Sequence, residues 1–327
     1  MKNMLKTLLA ALIASAPVLA LSGTLTVQSP NNNQYVGSTT EIKVQTTGGF
    51  TKVTVTAQIV QQGGGASTTL TTEIFPDGDG KGNGTMTWSA NSSFPETLYD
   101  ITVTATADDT NYNNELRTVT LDRTKPKFLE FSPTDGSFFN GTINITALIQ
   151  ETSGLKEWRV KVDNQDIPNN TGTSLAVNVP YSPSIDDDDG IRVITITAKD
   201  LADNEAEISL EATLDRQPPE IFVTYPRSDF RVRPNSTLSV NFNVEDSDTR
   251  SVDVAAIRVE IQDMDGNFIR RVSRRLYDGY SPTGSRWMGR VRMTVGNRTR
   301  VKIVISCVDK AGNASVVQEV PIQIGRR

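Results

Sequence analysis

The sequence predicts an all-β chain built from three tandem β-sandwich domains. Short runs of alternating apolar and polar residues, rich in Val, Ile and Thr, recur along the chain with turn residues between them. After the first twenty residues, no stretch shows the 3.6-residue period of an amphipathic helix. Two phrases also repeat along the chain, and they define the domains.

The first repeated phrase is a linker followed by a strand. Leu121–Pro133 reads LDRTKPKFLEFSP, and Leu214–Pro226 reads LDRQPPEIFVTYP. Each phrase contains a strand end, an Asp-Arg pair, a proline break and a new apolar strand. Because prolines cannot serve a central ladder, they mark boundaries. Gly23–Pro30 resembles the same opening strand, so we expect domains at 23–122, 123–215 and 216–327.

The second repeated phrase is a hairpin before each domain end. It reads YDITVTATADDTNYNNE, RVITITAKDLADNEAE and RVKIVISCVDKAGNAS in the three domains. Each copy is an alternating strand, an Asp/Asn/Gly turn and another strand. Ile303, Ile305 and Cys307 fall on one face, so we interpret Cys307 as an apolar core residue.

Further strands follow from the same alternation. In the second domain we predict strands near 127–132, 142–149, 155–162, 173–179, 191–199 and 205–214. The first and third domains share a long hairpin that leads to an Asp-Gly and then a tryptophan: Val53–Ile59 with Thr68–Phe75 before Trp88, and Ala256–Gln262 with Phe268–Val272 before Trp287. Trp158 lies on an earlier strand. We interpret all three tryptophans as core residues, and a sugar-binding platform is the alternative.

The N-terminus predicts export. Lys2 and Lys6 precede a short apolar core at Leu8–Ala16, and Val18-Leu19-Ala20 fits a signal peptidase site. We therefore expect residues 1–20 to be a signal peptide; an uncleaved N-terminal anchor is the alternative. No later segment is a transmembrane candidate. The expected location is the cell surface, the periplasm or the medium.

Composition argues against an enzyme. The chain has no histidine and one cysteine, which removes the commonest general base, an intrachain disulfide and thiolate metal clusters. No nucleophile is grouped with a base. A glycosidase with two carboxylates stays open as a distant alternative.

The phrases TAKDLADNEAE, LDRQPP and SCVDKAGNAS resemble bacterial immunoglobulin-like repeats of secreted and surface proteins. The resemblance covers nearly all of the chain after residue 20, but ADDTNYNNE in the first domain departs from the hairpin pattern. It implies tandem immunoglobulin-like β-sandwiches of the kind used as stalks, spacers, adhesive modules and accessory domains. It does not imply an activity.

In such a sandwich, the loops after the second strand and before the last strand lie beside the incoming linker. We therefore expect carboxylates to meet at both linkers and offer calcium the oxygens it prefers. No other cofactor is expected. The candidate ligands are Asp122, Glu151, Asp200 and Asp203 at the first linker, and Asp215, Asp246, Asp248 and Asp309 at the second. The run Asp186–Asp189 faces the second linker and favours a cation there, while solvated turn formers are the alternative. DGDGKGNG at Asp77–Gly84 resembles half a calcium loop, but it lacks the closing glutamate and flanking helices, so we interpret it as a glycine-rich surface turn.

Charge is unevenly distributed. The net charge is −6 for residues 23–122, −8 for 123–215 and +7 for 216–327. Arginines of the last domain on alternating strands are candidates for binding carboxylate or phosphate groups: Arg270, Arg271, Arg274, Arg275, Arg286, Arg290 and Arg292. Their partner is an anionic surface polymer or another copy of the chain; ordinary solvated arginines are the alternative, and nucleic acid is not expected. The predicted function is a non-catalytic structural or adhesive rod of domains, open to self-assembly, with a glycan- or polymer-binding accessory subunit of an envelope complex as the alternative.

Overall fold

The structure, a computed structural model, describes residues 21–49, 51–108, 110–248, 250–271, 279–281, 284–292 and 297–325. The described part is all-β apart from a short 3₁₀ turn at Val254–Ala256. Within these ranges, no helix has the length and apolar character needed to cross a membrane. The predicted signal peptide, residues 1–20, lies outside them.

The first set of strands spans residues 21–121. It comprises β1 (Leu21–Ser22), β2 (Thr24–Ser29), β3 (Gln34–Val36), β4 (Thr39–Thr47), β5 (Val53–Gln61), β6 (Ser67–Ile74), β7 (Lys81–Ser89), β8 (Leu98–Thr106), β9 (Thr110–Asn111) and β10 (Glu115–Leu121). One sheet has the order β2-β4-β7 and the other β3-β10-β8-β5-β6, while β1 pairs with β9. Buried residues of both larger sheets form a single apolar core, which defines a sandwich.

The second set spans residues 127–214. It comprises β11 (Lys127–Ser132), β12 (Ser137–Phe139), β13 (Ile143–Gln150), β14 (Leu155–Val162), β15 (Gln165–Gly172), β16 (Ala176–Tyr181), β17 (Gly190–Asp200) and β18 (Glu205–Leu214). The sheet orders are β11-β13-β16 and β12-β18-β17-β14-β15. The six strands predicted from alternation are present. The prediction missed β12, which has three residues, and β15, a polar edge strand interrupted by Pro168.

The third set spans residues 220–324. It comprises β19 (Glu220–Tyr225), β20 (Phe230–Val232), β21 (Thr237–Glu245), β22 (Arg258–Gln262), β23 (Phe268–Arg271), β24 (Gly279–Ser281), β25 (Gly284–Arg292), β26 (Arg300–Ser306) and β27 (Gln318–Ile324). The sheet orders are β19-β21-β25-β24 and β20-β27-β26-β22-β23. Cys307 is 1% exposed and belongs to the core shared by both sheets, as the alternation predicted.

The same strand switch occurs in all three sets. The opening strand (β2, β11 or β19) pairs antiparallel with the next long strand, and it ends at a cis X–Pro bond. The chain then enters the other sheet, where β3, β12 or β20 pairs in parallel with the last strand of the set. Two sheets around a shared core with this strand order form an immunoglobulin-like β-sandwich, which is the predicted fold class.

The described residues form two compact units. The first contains residues up to 126 together with 151–156 and 199–205; the second contains 127–150, 157–198 and 206–327, within the described ranges. Two loops of the second strand set thus group with the first linker. The predicted boundaries between three domains stay a prediction.

Candidate functional site

Each linker begins with a buried leucine and a buried aspartate. Leu121 and Leu214 end their strands inside the core, and Asp122 and Asp215 follow with side chains that are 8% and 2% exposed. The aspartate N–H groups donate to the carbonyls of Val36 and Phe139, each at 2.9 Å. These two bonds continue the parallel pairing by one residue and give both aspartates the same backbone position.

The first carboxylate group consists of Asp122, Glu151 and Asp200. One oxygen of each lies within 4.8 Å of the other two. Glu151 directly follows β13, and Asp200, which is fully buried, ends β17. All three residues belong to the first compact unit.

Hydrogen bonds hold the first group in place. Asp200 Oδ1 accepts from the backbone N–H groups of Ala202 and Asn204, each at 2.8 Å. Glu151 Oε1 accepts from the N–H and the hydroxyl of Ser153 at 2.8 and 3.0 Å. Burial raises the pKa of Asp200, and the bonds from Asn204 partly oppose this shift.

The second carboxylate group consists of Asp215, Asp246 and Asp309. Its members occupy the same places in the fold as those of the first group: a linker aspartate, the residue after the second long strand (β21) and a residue of the last hairpin. Asp309 Oδ1 accepts from the N–H of Asn313 at 2.8 Å, as Asp200 accepts from Asn204. The group lies within the second compact unit.

Two oxygens of the second group have no hydrogen-bond donor. Asp215 Oδ2 and Asp246 Oδ2 are buried and unpartnered in the described part of the chain. The Ser251 hydroxyl lies close enough to lower their pKa values, but its proton is donated to the carbonyl of Asp248 at 2.7 Å. Burial, first of all, and the neighbouring carboxylates raise the pKa of both aspartates. The second group therefore combines negative charge, burial and missing donors.

An asparagine connects each group to its linker. Asn204 Nδ2 donates to Asp200 Oδ2 at 2.8 Å and to the carbonyl of Asp122 at 3.0 Å. Asn313 Nδ2 makes the equivalent bonds to Asp309 Oδ2 and to the carbonyl of Asp215, both at 2.8 Å. From the sequence alone, these asparagines are interpreted only as turn formers. The repeated Asp-x-x-x-Asn spacing before each closing strand was the signal that could have identified them.

Two predicted ligands are engaged elsewhere. Asp203 forms an ion pair with Lys156 at 2.6 Å. Asp248 pairs with Arg250 at 2.7 Å, and hydrogen bonds from Arg250 lower the pKa of Asp248. Neither carboxylate belongs to the two groups.

The four-aspartate run binds the linker arginine. Asp189 Oδ2 accepts from the N–H of Arg216 at 3.0 Å, and the Arg216 guanidinium donates to the carbonyls of Ser184 and Asp187 at 2.6 and 3.1 Å. Arg123 binds the carbonyls of Asn91 and Phe94 in the same way at 2.7 and 2.9 Å. The run thus faces its linker as expected, and its positively charged partner there is Arg216.

The other candidate features have local roles. Asp77 Oδ1 accepts from the N–H groups of Asp79 and Lys81, which closes a turn. Trp88 and Trp158 are buried at 1% and 6% exposure, which supports their core interpretation. The side chain of Trp287 lies outside the described residues.

The predicted arginine surface is described only in part. Arg271 forms an ion pair with Glu260 at 3.3 Å, and Arg270 is half-buried. On β25, Arg286, Arg290 and Arg292 pair in register with Asn243, Ser239 and Thr237 of β21. Arg274, Arg275 and the side chains of β25 lie outside the described residues.

No family model matches the chain, and no curated protein matches its sequence. Similar solved structures include the fibronectin(III)-like modules of Clostridium thermocellum CbhA, with 17% identity, a TM-score of 0.39 and coverage of 61% of this chain and 93% of that one. A tetra-tandem repeat in the extending region of a large adhesion protein has 15% identity, a TM-score of 0.30 and coverage of 93% and 74%. A Ca²⁺-stabilized adhesin of an Antarctic bacterium that binds ice has 16% identity, a TM-score of 0.32 and coverage of 94% and 75%. These neighbours include tandem repeat domains of bacterial adhesins, the kind of protein that the linker and hairpin phrases resemble.

Proposed function

We propose that the chain is an exported, non-catalytic structural or adhesive protein whose linkers are fixed by two equivalent joints. Each joint consists of a linker aspartate, the carboxylate group around it, the clamping asparagine and the linker arginine. The repetition of this arrangement at residues 122–123 and 215–216 is the observation that supports the proposal. Buried carboxylates that lie at linkers are suited to a structural role rather than to catalysis.

The start of the first strand set provides an internal comparison. No acidic group of this kind occurs among its described residues. Instead, β1 pairs with β9, and Asn113 exchanges two hydrogen bonds with the backbone of Leu25 at 2.9 and 3.1 Å. The described start of the first strand set is therefore stabilised by strand pairing and an asparagine rather than by carboxylates.

We propose calcium as the ligand of the joints. Calcium binds six to eight oxygens, several of them from carboxylates in loops, and three carboxylates around one point match this preference. Among the described residues, none of the six carboxylates forms an ion pair with a lysine or arginine. Their charge therefore calls for a cation from solution.

Two measurements test the proposal. Cell fractionation should recover the protein in the periplasm, at the surface or in the medium, and recovery in the cytoplasm would overturn export. Thermal melting of the full chain without its signal peptide should show a higher midpoint in calcium than in chelator. An unchanged midpoint would remove calcium from the proposal and leave the structural role to be judged by localisation.

For partners, we propose contacts through the basic third strand set. Residues 216–327 carry a net charge of +7 beside acidic regions of −6 and −8, so another copy of the chain or an anionic surface polymer is the complementary partner. Sedimentation velocity at low and high ionic strength tests this point.

A further inference from the structure

The two carboxylate groups occupy equivalent positions in the fold but differ in how their charges are satisfied. Among the described residues, every buried carboxylate oxygen of the first group has a hydrogen-bond partner, whereas Asp215 Oδ2 and Asp246 Oδ2 of the second group have none. Burying a carboxylate oxygen without a donor costs free energy because its hydration is lost and not replaced. The cost therefore falls on the second joint.

The loop after the second long strand explains the difference. In the first group, this loop has four residues between β13 and β14, and Ser153 returns both its N–H and its hydroxyl to Glu151. In the second group, the equivalent loop between β21 and β22 has twelve residues. Among the described residues, Asp246 Oδ1 accepts from the N–H and the hydroxyl of Ser247. The shorter aspartate side chain and the redirected Ser251 hydroxyl leave Asp246 Oδ2 without a donor.

Two cations near the second group, Arg250 of the longer loop and Lys310 of the closing hairpin, bind other partners. Arg250 binds Asp248 through its guanidinium, and Lys310 Nζ donates to the carbonyl of Arg250 at 2.5 Å. Lys310 also lies over the ring of Phe138 at 5.6 Å. These contacts keep both positive charges on the rim of the loop, while Asp215, Asp246 and Asp309 face one another.

We infer that the two joints have unequal cation requirements: the second carboxylate group needs a bound divalent cation to keep its native arrangement, and the first keeps its arrangement through hydrogen bonds alone. The inference rests on the proposed calcium function and specifies how that function is distributed. Removal of calcium then loosens the chain at residues 215–219, 246–253 and 309–315, and leaves 122–126, 151–154 and 200–204 protected.

Hydrogen–deuterium exchange on the full chain, with calcium and with chelator, tests the inference directly. We expect chelator to speed exchange in peptides of the second joint severalfold and to leave peptides of the first joint within error. Equal acceleration at both joints would overturn the inference while calcium binding by the joints survives. No change at either joint, together with no calcium-binding heat, would overturn both.

Matched variants give a second readout. Asp215→Asn should lower calcium affinity about tenfold or more, and it should make the second joint insensitive to chelator because the neutral amide supplies donors. Asp122→Asn is the matched change at the first joint, and Asp203→Asn is a control outside both groups; both should retain the calcium response. A loss of the chelator response at the second joint in Asp122→Asn as large as that in Asp215→Asn contradicts the inference. If Asp215→Asn fails to fold, the exchange experiment on the unaltered chain decides.

Discussion

At the residue scale, the asparagine of the closing hairpin is the contact that connects a sandwich loop to the incoming linker. Asn204 and Asn313 each bind a carboxylate of their own turn and a carbonyl of the linker. A third turn, Asp263–Asn267, has the same spacing and the same internal bonds, at 2.8 and 2.9 Å. Asn267 is exposed and has no linker beside it, so the chain contains its own control.

Asn313→Ala should destabilise the protein more than Asn267→Ala. Both changes remove the bond within the turn, but only Asn313→Ala leaves the carbonyl of Asp215 and a buried oxygen of Asp309 without their donor. We expect a loss of about 1–3 kcal/mol in the free energy of unfolding for Asn313→Ala, measured by urea denaturation in the presence of calcium. Equal losses in the two variants would show that the linker contact contributes nothing.

Cys307 should be inert in the native protein. Its side chain is 1% exposed, and burial, with nearby aspartates, raises its thiol pKa to about 12. Because the thiolate is the reactive form, maleimide labelling followed by mass spectrometry should detect no adduct at pH 8 in folded protein. Labelling should be complete after denaturation. Comparable labelling rates before and after unfolding would contradict the core assignment.

At the element scale, each linker binds in two directions. Its arginine binds the loop before β8 (Arg123) or β17 (Arg216) in the preceding set. Its aspartate lies beside carboxylates from loops of the following set. Each residue of the repeated Leu-Asp-Arg phrase therefore has its own role. The leucine is buried in the core, the aspartate belongs to a carboxylate group, and the arginine binds a loop of the preceding set.

Arg216→Ala should destabilise the second strand set. The Arg216 side chain is 27% exposed and donates to the carbonyls of Ser184, Ile185 and Asp187. Losing these charge-assisted bonds should cost about 1–3 kcal/mol in urea unfolding. The exposed Arg227 is the control, since its side chain makes no hydrogen bond within the described part of the chain. If Arg216→Ala and Arg227→Ala lower the free energy of unfolding by the same amount, the contacts of Arg216 with the loop do not stabilise the protein.

At the scale of the whole molecule, charge is divided along the sequence. The first two regions are acidic and the third is basic, which makes head-to-tail attraction between copies electrostatically favourable. Association that increases with protein concentration to the same extent at every ionic strength would contradict an electrostatic origin.

Sedimentation velocity of the full chain tests self-association. Larger species should form at low ionic strength and dissociate in high salt, because screening shortens the range of charge attraction. Arg270→Glu with Arg271→Glu should reduce association, and Lys127→Glu in the acidic region should not. A monomer at every salt concentration favours the anionic polymer as partner, which a salt-dependent pull-down with envelope polysaccharide then checks.

The sequence by itself determined the strand class, the closing hairpins, the linker positions and the core role of Cys307 and Trp88. These depend on local alternation and on Pro, Gly and Asn preferences, which act over a few neighbouring residues. It also placed carboxylates at both linkers, because loop ends follow from the fold class.

Only the tertiary structure decided which carboxylates meet. Asp203 pairs with Lys156 and Asp248 pairs with Arg250, so neither aspartate joins a carboxylate group. These ion pairs depend on the packing of particular loops. The same is true of the donors: Ser153 serves Glu151, while Ser251 turns to Asp248 and leaves Asp246 unserved. Spacing determines where a side chain starts, but the partner that satisfies its charge comes from a distant part of the chain.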